Sequence, residues 1–142
     1  MTVAQIKNGI IAALADKYTE VPVYGDEVPQ GFLQPAFFVL ATGAAAAKET
    51  GRRRRLGADF KVQYFPAEGL SRNEEMYDAG DALIELFEYV DTEDGALRPK
   101  GAKYEIADGV LNFYISFKWF ALEDEEDETV LAAIGVTGEL KN

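Results

Sequence analysis

Apolar side chains near the start of the chain repeat at helical spacing, at Val3, Ile6, Ile10, Ala13 and Leu14. This period predicts an amphipathic helix over residues 3–17. Thr2 and Gln5 have the spacing of a capping box, in which each side chain binds a backbone amide that the first helical turn leaves unpaired. Gly9 lies inside the helix, where glycine costs about 1 kcal/mol relative to alanine.

The same period returns later and predicts a second helix from about residue 72 to 90. Ser71 and Glu74 form a second capping box, and the apolar stripe comprises Met76, Gly80, Leu83, Phe87 and Val90. Carboxylates repeat at the same spacing on another face, at Glu74, Asp78, Asp81, Glu85 and Glu88. Neighbouring like charges repel by a few tenths of a kcal/mol per pair. This stripe is either a solvated face or a functional acidic surface.

Between the helices the pattern predicts strands. Val21 to Tyr24 forms a short strand that Pro22 confines to a strand start or a sheet edge. Phe37 to Ala45 is almost continuously apolar, which predicts a strand buried on both faces. After a turn over 46–52, Arg53 to Phe65 alternates between apolar and polar residues with a period of two. The two strands are expected to form a long hairpin whose tip holds the alanine and arginine runs.

The second half ends in another hairpin. Residues 91–103 are expected to form a polar loop. Tyr104 to Ala107 and Val110 to Leu122 then flank Asp108-Gly109, a pair suited to a tight type I′ turn. One face of the last strand carries Leu111, Phe113, Ile115, Phe117 and Trp119.

The element order is therefore αβββαββ, which predicts a single α+β domain with a mostly antiparallel sheet and both helices packed on it. We expect this domain to cover residues 1–122. Residues 123–142 form an acidic linker and a C-terminal tail, because the run EDEEDE at 123–128 cannot pack in a core.

Charge is distributed unevenly over the 142 residues. The net charge is −11; residues 1–71 carry eight basic and seven acidic groups, whereas residues 72–142 carry six basic and eighteen acidic groups. An acidic surface disfavours sequence-independent DNA binding, because phosphates are repelled. Four consecutive arginines run against this trend, at Arg52, Arg53, Arg54 and Arg55. They form a solvated or partner-pairing surface, a docking contact or a nucleic-acid contact.

Catalytic chemistry has few candidates. The chain has no cysteine and no histidine, which excludes thiol, imidazole and Cys/His metal chemistry within it. The two serines have structural explanations, Ser71 as a helix cap and Ser116 as a strand residue. The acidic residues Asp91, Glu93 and Asp94 resemble part of a calcium loop, but the downstream glutamate is missing. We therefore expect no enzyme activity, no metal and no cofactor.

No membrane or secretion signal is expected either. The longest apolar run, Ala36 to Ala47, is too short to span a bilayer. The N-terminal lysines lie inside an amphipathic pattern, which is not that of a signal peptide. The sequence predicts a soluble protein.

Four segments resemble the tail-terminator, or tail-completion, family of phages and prophages of Gram-positive bacteria. They are VYGDEVPQGFLQPAFFV at 23–39, FKVQYFP at 60–66, NEEM at 73–76 and EIADGVLNFYISF at 105–117. They follow the order of the family and, together with an opening helix of the expected kind, extend the resemblance over residues 1–122. The loop of the first segment contributes Tyr24, Gly25, Glu27, Gln30, Gly31 and Phe32. This chain has Ala36 and Asn112 where the family often has cysteine and histidine.

The resemblance implies a structural virion protein at the neck-proximal end of the tail, assembled in the host bacterial cytoplasm. Such proteins form a ring, commonly a hexamer, that caps the tail tube, stops its polymerisation and presents a docking surface for the head–tail connector. In contractile tails the ring also anchors the sheath protein. DNA passes through the lumen without specific binding. Within such a ring, we expect the arginine tip of each subunit to meet the acidic helix face of its neighbour.

Three other functions remain open at this point. The chain fits another neck or head–tail connector component, a small-molecule-binding regulatory domain unrelated to phages, or an enzyme that uses carboxylates alone. The host, the type of tail and the number of subunits in the ring are not encoded in any recognisable motif.

Overall fold

Two helices and seven strands make up the computed structural model, which describes residues 1–26, 29–68 and 72–122. In chain order they are α1 (Val3–Lys17), β1 (Val23–Tyr24), β2 (Ala36–Lys48), β3 (Arg53–Phe65), α2 (Arg72–Leu86), β4 (Val90–Thr92), β5 (Gly95–Leu97), β6 (Gly101–Ala107) and β7 (Val110–Leu122).

Five of the strands form one sheet in the order β1-β2-β3-β7-β6, and β4 pairs with β5 in a separate ribbon. The strand β6 is antiparallel to β7, and β1 is parallel to β2. Between β3 and β7, Phe60 contacts Phe117 whereas Gln63 binds Asn112. The partner number falls as the β3 number rises, so these strands are antiparallel. The sheet is mostly antiparallel and the fold is α+β, as predicted.

The core lies between the helices and one face of the sheet. Ile6, Ile10 and Leu14 of α1 are fully buried. The sheet contributes alternate residues of β3 and β7, among them Phe60, Val62, Leu111, Phe113, Ile115 and Phe117. The ring of Phe87, just after α2, packs 5.8 Å from that of Phe113. The predicted alternation of both long strands is therefore confirmed.

Helix α1 and the β4–β5 ribbon meet at Gly9. A Cβ atom on Gly9 would lie 2.4 Å from the carbonyl oxygen of Asp91 and 2.8 Å from a methyl carbon of Val90. Only a residue without a side chain permits this approach. The glycine that helix propensity marks as a weakness is thus the point where α1 packs on β4.

The first helix cap and the tight turn predicted from the sequence are both present in the structure. Thr2 and Gln5 form the capping box, with hydrogen bonds of 2.8 and 3.1 Å between side chain and backbone. Asp108 and Gly109 have φ angles of 54° and 74°, as a type I′ turn requires. The second capping residue, Ser71, lies outside the described residues, as do Glu27 and the segment 123–142.

Four boundaries differ from the prediction. The helix α2 ends at Leu86 instead of residue 90, because Val90 already pairs in the β4–β5 ribbon. The predicted polar loop over 91–103 contains most of that ribbon and the start of β6. The first strand is limited to Val23–Tyr24. The strand β2 extends to Lys48, and its second half is exposed: Ala36–Val39 are buried, but residues 41–46 are not.

By contact density the chain divides into two units. The larger unit comprises Met1–Ala44 and Ala58–Lys118, and the smaller comprises Ala45–Gly57 with the chain from Trp119 onward, of which Trp119 to Leu122 are described. We call the smaller unit the arm. It contains the predicted hairpin tip, and it is described below separately from the larger unit.

Candidate functional site

The arm holds the four consecutive arginines at a tight reversal of the chain. The backbone amide of Glu49 donates to the carbonyl oxygen of Arg53 at 2.8 Å, which closes the turn between β2 and β3. Gly51 lies within this turn with a φ of 72°, a conformation that favours glycine. The hairpin predicted from the sequence is therefore present, with Arg52 in the turn and the next three arginines on β3.

Two arginines share one carboxylate in the arm. Arg53 Nε lies 3.6 Å from Glu49 Oε1, and Arg55 Nη1 lies 3.7 Å from Glu49 Oε2. Both distances exceed the 2.7–2.9 Å of a strong charge-assisted hydrogen bond. Arg52 and Arg54 also have interaction partners. Arg53 and Arg55 are exposed. Their contacts with Glu49 are therefore screened by solvent and contribute little energy.

An aromatic ring lies beneath one of these arginines. The guanidinium carbon of Arg53 is 3.9 Å from the centre of the Phe120 ring, and such a cation–π contact contributes about 0.5–1 kcal/mol at an exposed site. Phe120 is nevertheless 48% exposed, and Leu122 is 77% exposed. The arm thus displays basic and apolar side chains together.

The acidic stripe lies in the larger unit. Its members Glu74, Asp78, Asp81 and Glu85 are on α2, and all are exposed. Glu88 is exposed too, but it follows the end of the helix. Asp81 accepts a hydrogen bond of 3.0 Å from the Tyr104 hydroxyl, and this carboxylate raises the pKa of Tyr104. The stripe is a solvent-facing surface with one member tied to β6.

Large apolar side chains interrupt the same surface. Tyr77 is 53% exposed and Ile84 is 44% exposed. They are seven residues apart, so they share one side of α2 with Asp81, which lies four residues after Tyr77. Tyr89, just beyond the helix, is also exposed and has the Arg98 guanidinium 5.4 Å from its ring centre. We call the exposed residues between Glu74 and Tyr89 the acidic face.

Glu75 points elsewhere and has a structural role. Its Oε2 atom accepts hydrogen bonds from the Tyr64 hydroxyl at 2.5 Å and from the Ala67 amide at 3.3 Å. Burial, reinforced by this hydrogen bond to the carboxylate, raises the pKa of Tyr64. The contact joins the start of α2 to the end of β3, so it positions the helix that carries the acidic face.

The loop of the first family-like segment is held to the sheet by aromatic rings. Phe32 packs edge-on against Phe38 at 4.8 Å and Phe65 at 5.0 Å, and Tyr24 stacks on Phe38 at 5.2 Å. Phe38 lies on the sheet face opposite to Phe37, whose ring contacts Tyr18 and Tyr64.

The polar members of the same loop lie at its surface. Gln30 and Gly31 are exposed, and Gly31 has a φ of 68°. Lys7 Nζ of α1 lies 3.4 Å from the position of a Cβ on Gly25 and forms an ion pair with Asp26 Oδ2 at 2.5 Å. Tyr24 and Phe32 thus anchor the loop, whereas Gln30 and Gly31 face the solvent.

The calcium-like acidic residues lie on the β4–β5 ribbon. Asp94 pairs with the N-terminal amine at 3.0 Å. In the part of the chain that the structure describes, no three acidic side chains are grouped closely enough to hold a metal ion. Among the same residues, no helix is long and apolar enough to cross a bilayer.

The model of the family described as "Phage tail terminator protein" matches residues 5–129. The match covers most of the sequence, so the chain belongs to the phage tail terminator family. This is a family of structural phage tail proteins, whose place is in the virion tail. The origin from a Gram-positive host stays a prediction.

Solved structures also resemble the chain. One of them matches with a TM-score of 0.44 and 14% sequence identity, covering 85% of this chain and 92% of its own. At this level of similarity it adds nothing to the functional argument. No protein of curated function matches the sequence.

The exposed apolar residues are what sequence reasoning missed. Tyr77 and Ile84 belong to neither of the two stripes that the sequence predicts on α2, and the sequence predicts only that Phe120 lies in a strand. A signal for them exists in the sequence: Tyr77 and Ile84 are out of phase with the buried stripe that contains Met76 and Leu83. A group of exposed apolar residues on a polar helix face is a candidate contact surface.

Proposed function

We propose that copies of this protein form the ring that closes the finished tail tube of a phage. The single observation that carries the proposal is the family match over residues 5–129. In this role the protein stops polymerisation of the tube protein, offers a docking surface to the head–tail connector and, in a contractile tail, anchors the last sheath ring. Six copies form the ring, and DNA passes through its lumen without specific binding.

The structure supports this role through its surfaces. Exposed apolar residues occur beside opposite charges, with arginines on the arm and carboxylates on the acidic face. Surfaces of this composition suit protein–protein contact, since aromatic residues and arginine are enriched at interfaces. We propose that the anchored loop, with Gln30, Gly31 and the 82% exposed Leu33, faces one of the other tail components.

Deleting the gene in the phage or prophage tests the proposal. We expect tails of uncontrolled length that fail to join heads, because nothing ends polymerisation of the tube. Electron micrographs of negatively stained particles measure both properties, and expression of the intact protein in trans should restore them. Tails of normal length that still join heads would contradict the proposed function.

A further inference from the structure

Most of the exposed large apolar residues lie on two surfaces of opposite charge. Six large apolar side chains of the described residues are exposed: Leu33, Tyr77, Ile84, Tyr89, Phe120 and Leu122. Three of them lie among the carboxylates of the acidic face, and two lie in the arm with the arginines. Such patches mark contact sites when they are rimmed by polar groups, and here the rims have complementary charge.

We propose that the arm of one copy binds the acidic face of the next copy, and that this head-to-tail contact closes the ring. The inference rests on the proposed function, which requires a ring. When two copies bind through different surfaces, one arm and one acidic face of the pair remain unoccupied, so further copies can be added. Repetition therefore gives a closed ring when the rotation between copies permits it.

The two surfaces are complementary in chemistry. From Glu74 to Glu85 the acidic face extends about 17 Å along α2, long enough to receive Arg53 and Arg55, which are about 7 Å apart along β3. A guanidinium offers five N–H donors in a planar fork that fits a carboxylate. Arg53 and Arg55 use only part of this capacity in their long contacts with Glu49. Phe120 and Leu122 supply apolar area that Tyr77 and Ile84 can cover.

Charge reversal on one surface at a time gives a direct test. Variant A carries Arg53→Glu and Arg55→Glu, and variant B carries Asp78→Lys and Glu85→Lys. Each is expressed in place of the intact protein, and normal-length tails are counted in electron micrographs. We expect each variant alone to lower their number about tenfold or more, because the substituted side chains then meet like charges in every contact of the ring.

Two combinations should restore assembly. A chain that carries all four substitutions pairs reversed charges again, so its tails should regain normal length. Co-expression of variants A and B should also restore them, because each A–B contact pairs opposite charges at these positions, whereas each A–A or B–B contact sets the substituted side chains against like charges. Variants A and B can alternate around a ring only when the number of subunits is even, and a hexamer meets this condition.

Matched controls change the same amount of charge elsewhere. Lys100→Glu with Lys103→Glu controls for variant A, and Asp91→Lys with Glu93→Lys controls for variant B, since all four residues are exposed and lie outside both surfaces. We expect normal tails from both control chains. Circular dichroism of each purified variant shows whether its fold is retained, and the rescue by combination excludes misfolding as the cause of a defect.

Three outcomes would overturn the inference. In the first, variants A and B each give tails of normal length. In the second, both fail, but neither the four-substitution chain nor the mixture restores assembly. In the third, variant A assembles normally and loses only DNA binding. The proposed function is tested separately by the gene deletion, so it can stand when this contact does not.

Discussion

Replacing Gly9 by alanine separates the effect of helix propensity from that of tertiary packing. Propensity alone predicts that the variant is more stable by about 1 kcal/mol, because alanine is the better helix former. The structure predicts the opposite sign. The new Cβ would lie 2.4 Å from the Asp91 carbonyl oxygen, about 1 Å closer than ordinary van der Waals contact.

The size of the effect follows from what must move. The closest atom belongs to the backbone of β4, so a rotamer change cannot relieve the clash, and α1 and the β4–β5 ribbon must separate. Forcing an extra carbon into a packed contact costs about 1–3 kcal/mol. After the gain of about 1 kcal/mol from helix propensity, we expect a net decrease of up to about 2 kcal/mol in the free energy of unfolding, out of the roughly 5–15 kcal/mol that stabilises a typical domain.

Urea denaturation of the full chain, followed by far-UV circular dichroism, measures this difference by linear extrapolation. Gly101→Ala is the matched control, because nothing lies within 4 Å of its Cβ position and its φ is not in the left-handed region. The control creates no clash, so it should leave the free energy of unfolding unchanged or raise it by up to about 1 kcal/mol, because alanine has less conformational freedom in the unfolded chain. If Gly9→Ala instead raises the free energy of unfolding by about 1 kcal/mol, the gain that helix propensity gives, the close approach of α1 to β4 is wrong.

Two further substitutions test the core and the link between β3 and α2. Phe113→Ala should lower the free energy of unfolding by about 3–5 kcal/mol, because Phe113 is fully buried against Phe87; a loss below about 0.5 kcal/mol in urea denaturation would show that the strand faces the other way. Tyr64→Phe should cost about 1 kcal/mol at neutral pH, because the hydrogen bond to Glu75 is lost. Burial and that hydrogen bond raise the pKa of Tyr64 above its ordinary value of 10.0, so the native state holds the phenol proton more tightly than the unfolded state. The stability that Tyr64 contributes is therefore complete below pH 10 and decreases as the pH rises above it. Denaturation midpoints measured from pH 9 to 11 should fall less steeply for Tyr64→Phe than for the original chain, and equal slopes would contradict the assignment.

The candidate surfaces were visible in the sequence only in part. Runs and repeats of charged residues can be recognised without a structure. Arg52 to Arg55 and the carboxylates of α2 could therefore be identified from the sequence alone. Whether an apolar residue is exposed depends on which neighbours cover it. Ile84 and Leu83 are adjacent and equally apolar, yet Leu83 is fully buried and Ile84 is 44% exposed. The combination of apolar and charged groups on each surface therefore emerged from the structure.

Prediction was accurate where neighbouring residues encode the geometry. The start of α1, the turn at Asp108-Gly109 and the bounds of β3 and β7 depend on caps, turn residues and an alternation of period two, all of which are local. The family could also be identified at this level, because its motifs are short segments in a fixed order.

The tertiary structure decided what local signals cannot distinguish. Phe87 and Val90 continue the apolar spacing of α2, although the helix ends at Leu86. A buried position is apolar whether it lies in a helix, in a strand or between them. The spacing therefore could not show where the helix ends. The pairing of β1 with β2 joins residues 23–24 to 37–38 in parallel, across a loop without a helical or strand period. Gly9 and Asp91 are far apart in the chain, and their contact exists only once α1 packs on β4. Contacts of this kind depend on the shape of both partners together, whereas caps, turns and alternation are properties of a few consecutive residues.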